Sequence, residues 1–86
     1  MKINELLNAP EKWTKGALAK DNEGQAVLPN DPRAESWCVL GALYKCGVRD
    51  KSAFRALVGE KLIAWNDHPD RTFKDVQRVI SQLTSP

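Results

Sequence analysis

Seven consecutive residues, Trp37 to Leu43 (WCVLGAL), are apolar or glycine with no polar interruption. A helix that is apolar on every side must be covered on every side. In a chain of 86 residues, enough for one domain, this segment is predicted to sit at the centre of the fold. A domain of that size buries only about 60% of its unfolded surface, so the core is thin and leaves little room for a deep active site. Three Trp, two Phe and one Tyr must supply much of the burial. At 42% hydrophobic and 28% charged, the composition is that of a folded chain, not a disordered one.

Local signals assign the elements around this centre. Asp31 suits an N-cap and Pro32 the first helical position, while Gly47 suits the left-handed residue after a helix, with Val48 packing back on Leu43. These predict a helix over residues 32–46. Ile3, Leu6 and Leu7 mark a short N-terminal helix, and Pro10 starts a turn leading to Trp13. Residues 13–28 read as a β-hairpin around the turn Asp21-Asn-Glu-Gly24. A second helix is predicted over residues 52–65, with Ser52 as cap and Phe54, Leu57, Val58, Leu62 and Trp65 as its apolar stripe. Gly59 costs that helix about 1 kcal/mol relative to Ala and marks a place for a kink or break. A third helix is predicted over residues 72–84. Thr72 and Asp75 form its capping pattern, and Phe73, Val76, Val79, Ile80 and Leu83 its core face. The sum is a helix-dominated α+β fold, a single domain over residues 1–86. A buried central helix is accompanied by two C-terminal helices, a short N-terminal helix and a hairpin.

Two segments hold candidate chemistry. Cys38, followed downstream by Asn66, Asp67 and His68, has the crude chain order of a cysteine hydrolase. A nucleophilic thiol needs a lowered pKa from a helix N-terminus, a cation or a paired histidine. With the helix starting near Pro32, Cys38 falls in its second turn, beyond the reach of the macrodipole. Trp37, Val39 and Leu40 surround it, and packing accounts for it more simply. His68 precedes Pro69 and is predicted to be an extended loop residue. Asn66 suits a left-handed helix end, and Asp67 suits hydrogen bonds to the start of the next helix. Loop bracing explains both, and a ligand-binding role with Arg71 is the alternative.

Cys38 and Cys46 would be ~12 Å apart along one helix, too far for a disulfide, and read as free thiols of a reducing compartment. Neither they nor His68 has zinc-site spacing, and no phosphate-binding glycine loop occurs, so no metal or cofactor is expected. No apolar run approaches the ~20 residues of a membrane span, and the opening MKINELLNAPEKW lacks signal-peptide character. Cytoplasmic residence is the expectation.

The net charge is +2, divided as −1 over residues 1–43 (five basic, six acidic) and +3 over residues 44–86 (eight basic, five acidic). Lys45, Arg49, Lys51 and Arg55 form the densest basic stretch, suited to an acidic protein surface or to phosphates. The link from Asn66 to Arg71 is too long for a helix-turn-helix, whose turn has 3–4 residues.

Three pieces, GALAKDNEGQAV after Trp13, AESWCVLGAL and AWNDHPDRTFKDV, resemble a family of small uncharacterised bacterial and phage proteins. Its pattern is a Trp, a D-x-x-G turn, W-C-x-x-G-A-[LI], and W-N-D followed by a Thr and a D-V helix. Trp37, Cys38, Gly41, Ala42, Trp65, Asn66, Asp67 and Thr72 carry the resemblance, whereas Cys46 and His68 fall outside the pattern. The resemblance implies one compact domain of bacterial or phage origin, resident in the host cytoplasm if phage-encoded, and supplies no activity. Three functions follow as expectations. The first is a non-enzymatic accessory or inhibitory domain that binds another protein through Lys45, Arg49, Lys51 and Arg55. The second is a hydrolase or transferase using Cys38 with Asn66, Asp67 or His68. The third, weaker, is nucleic-acid binding through the basic second half.

Overall fold

The computed structural model describes residues 2–49, 51–59 and 61–84, without the side chains of Leu57 and Thr84. Among the described residues, five helices and three short strands form one α+β domain of 34 × 28 × 20 Å. In chain order they are α1 (Ile3–Leu6), a 3-10 turn (Pro10–Lys12), β1 (Ala19–Lys20), β2 (Ala26–Val27) and β3 (Ser36–Trp37). Then come α2 (Val39–Lys45), α3 (Ser52–Val58), α4 (Leu62–Asp67) and α5 (Phe73–Thr84).

The hairpin is tighter than residues 13–28 and centres where its turn chemistry placed it. The Asp21 carboxylate accepts the Glu23 and Gln25 N–H groups, and Gly24 takes the positive φ of 80° that closes the turn. β1 pairs antiparallel with β2 on one side and with β3 on the other, in the order β2-β1-β3. β3 takes Ser36 and Trp37, which the local signals place in the helix over residues 32–46.

That helix is the main correction. It starts at Val39, not at Pro32. Asp31 and Pro32 instead build a turn: Ala34 N–H bonds the Asp31 carbonyl, and the Asp31 side chain accepts the Arg33 N–H. Asp followed by Pro serves a turn and a helix start equally well, because both need the same φ and the same unpaired N–H groups. Pairing of Trp37 with Ala19 then draws the next residues into the sheet.

The end of α2 follows its sequence. Gly47 has φ 74°, its N–H bonds the Tyr44 carbonyl, and Val48 N–H bonds the Leu43 carbonyl. This is the Schellman arrangement, with Val48 partly buried against the core. The predicted helix over residues 52–65 divides at Gly59, whose φ of 74° ends α3, and α4 continues to Asp67. α3 starts at Ser52 itself, after Lys51, and the Leu57 place in its stripe lies outside the described side chains.

α2 lies between α1, α4 and β3, and α5 packs across α1 and α3. Val39 and Ala42 are wholly buried on α2, Val76 on α5, and Phe54 on α3 meets Trp65 on α4 edge to face at 6.2 Å. Gly41 lets the chain before β1 approach, since a Cβ there would overlap the Leu18 carbonyl oxygen.

Candidate functional site

Cys38 is the N-cap of α2, with φ −74° and ψ 170°. Its own N–H donates to the Leu18 carbonyl at 3.2 Å, and its Sγ accepts the Gly41 N–H at 3.3 Å. The expected place in a second helical turn is therefore corrected: the thiol stands at a helix start. It is nevertheless 3% exposed. Burial pushes the thiol pKa up, the Gly41 and Leu40 amides draw it down, and the negative charge of Asp67 raises it again. The net direction is upward, opposite to what an activated nucleophile needs. A pocket of about 200 Å³ touches Cys38 and is otherwise lined by Gly16, Ala17, Leu18, Ile63 and Asp67. Of the partners offered for Cys38, Asp67 alone lines this pocket with it.

Asn66 is fully buried and fully bonded. Its Oδ1 accepts the Trp13 indole N–H at 2.7 Å and the Val39 N–H at 3.0 Å. Its Nδ2 donates to the Thr14 carbonyl at 3.0 Å and to Asp67 Oδ1 at 2.9 Å. An amide offers two donors and two acceptor lone pairs, so nothing is left for a ligand. Asn66 lies inside α4 and not in a left-handed cap, since no described residue other than glycine has positive φ. Asp67 also departs from expectation: it accepts the Gly16 N–H at 3.1 Å and so braces the N-terminal arm, not the start of α5.

His68 ends α4 in extended geometry before Pro69, as its position in the sequence required. It is exposed, its Nδ1 accepts the Asp70 N–H at 3.1 Å, and its carbonyl accepts from Lys15 Nζ at 2.7 Å. It does not line the Cys38 pocket. Arg71 stacks over Trp65 at 4.2 Å and donates Nε to the Trp65 carbonyl at 2.8 Å, which fixes the α4–α5 corner.

The larger concavity lies elsewhere. A groove of about 890 Å³ runs between α3 and α4, with Leu40 of α2 in its lining. Arg55, Ala56 and Gly59 border it from the α3 side, and Lys61, Leu62, Ile63 and Ala64 from the α4 side. The break at Gly59 creates it by turning one predicted helix into two. Ile63 is 52% exposed, because Leu62, Trp65 and Asn66 take the buried face of α4 and leave Ile63 off that face. The sequence carries this exposure as an isoleucine outside the apolar stripe, and neither Ile63 nor Lys61 stands among the candidates that the sequence offers.

The four basic candidates are not equivalent. Arg55 lines this groove. Lys51 donates to the Val48 carbonyl at 3.1 Å and lies 4.5 Å over the Tyr44 ring. Lys45 closes α2 half-buried, and Arg49 is exposed in the link to α3.

Among the described residues, no group of three His, Cys, Asp or Glu is placed to hold a metal ion, and no helix is long and apolar enough to cross a membrane. Cys38 and Cys46 are both free thiols. No curated protein and no solved structure matches the chain. A family model does match it, over residues 2–84. With nearly the whole folded chain inside that match, the protein belongs to the family of unknown function DUF6197.

Proposed function

We propose that this domain is a non-enzymatic protein-binding module of bacterial or phage origin, acting as an accessory or inhibitory factor in the cytoplasm. The observation that carries the reading is the open α3–α4 groove, apolar on its floor and bearing a half-exposed isoleucine. Apolar surface with a polar margin marks interaction sites on small proteins. Arg55, one of the four basic candidates, lines this groove. The test is site-specific photo-crosslinking in the producing cell, with the crosslinker at Ile63 and a control at Glu23. A defined protein adduct at Ile63 alone, whose purified partner loses at least tenfold affinity for Ile63→Asp, supports the reading. Adducts spread equally over both positions overturn it.

A second reading keeps Cys38 as a nucleophile, because the thiol stands at a helix start and shares a pocket with Asp67. Alkylation separates the two. Core packing predicts that Cys46, half-buried, reacts first and that Cys38 reacts only as the protein unfolds. A hydrolase or transferase requires fast reaction of Cys38 at neutral pH, with an apparent pKa below the ordinary thiol value near 8.5.

A further inference from the structure

We draw no further inference here: the strongest candidate, the apolar groove between α3 and α4 lined by Leu40, Leu62 and Ile63, carries nothing beyond the protein-binding reading, because nothing in the structure shows what covers it.

Discussion

Asn66 commits both lone pairs and both N–H bonds to groups that come from three separate parts of the chain. Asn66→Ala would leave the part-buried Trp13 indole N–H and the buried Val39 N–H without acceptors. Each such group costs about 1–3 kcal/mol, so a loss of about 3 kcal/mol or more is expected, read from the urea midpoint by tryptophan fluorescence. Gly41→Ala should be comparably severe, because its new methyl meets backbone and not a side chain that could turn away. Cys38→Ser is expected to stay within about 1 kcal/mol, since serine also caps the Gly41 amide. From sequence, the residues that define this centre were visible and their partners were not. Asn and Asp announce that they will satisfy backbone groups, yet nothing in Trp65-Asn66-Asp67 says that those groups belong to Trp13, Gly16 and Val39. The misplacement of Asn66 in a left-handed cap has that cause.

Elements with a complete set of local signals were read correctly. α5 has a capping pair at its start and one apolar face. The structure shows Thr72 N–H bonded to Asp75 Oδ2 at 3.0 Å and Asp75 N–H bonded to Thr72 Oγ1 at 3.4 Å. Thr72→Ala should cost about 1 kcal/mol and speed amide exchange in the first turn of α5. The end of α2 and the Asp21–Gly24 turn were legible for the same reason. The beginning of α2 was not, because Asp31-Pro32 satisfies two motifs and the choice was made by strand pairing over a distance. Gly59 belongs between these cases: its cost to a helix was evident, whereas the groove its break opens depends on how α3 and α4 pack. Of the residues lining the groove, Arg55 is the one that the sequence offers as a binding candidate, while Gly59 and Leu62 are legible there only as a helix break and a core position. The apolar floor needed the three-dimensional fold.

Whole-molecule behaviour follows from charge and from the two thiols. Many cations are already engaged: Arg33 pairs with Asp31 and Arg78 with Asp75, while Lys15, Lys51 and Arg71 donate to backbone carbonyls. Eight of the thirteen Lys and Arg residues lie outside this group, but the net charge is only +2, which limits the attraction to a phosphate backbone. Affinity for a 20-nucleotide strand should therefore be weak, with a shallow dependence on salt. A slope steeper than that of about four phosphate contacts would instead support the nucleic-acid reading. The pH dependence has two arms of opposite sign. Burial raises the Cys38 and Cys46 pKa values in the folded protein, so the unfolded chain releases those protons first. The corresponding stability is complete below the ordinary thiol pKa of about 8.5 and is lost as pH climbs towards the folded values. Urea titrations at pH 7 and pH 9.5 should show a smaller alkaline loss for Cys38→Ser than for the parent. The Arg33 side chain lowers the Asp31 pKa, and the Thr72 amide lowers that of Asp75. Their contributions are present above the ordinary carboxyl value and fade as pH falls through the lowered ones.

The Val39 amide has an unusual acceptor for the first residue of a helix. It bonds a side chain of α4, 27 residues further along, and no carbonyl of its own helix. Its proton can therefore reach solvent only when α4 lifts from α2 or when Asn66 turns away. The Ala42 amide, bonded to the Cys38 carbonyl within the same turn, is held by α2 itself. Hydrogen–deuterium exchange at these two sites separates helix fraying from domain opening. Equal rates mean that the helix melts as a unit. Faster exchange at Val39 measures how often this small core comes apart along the contact that Asn66 holds.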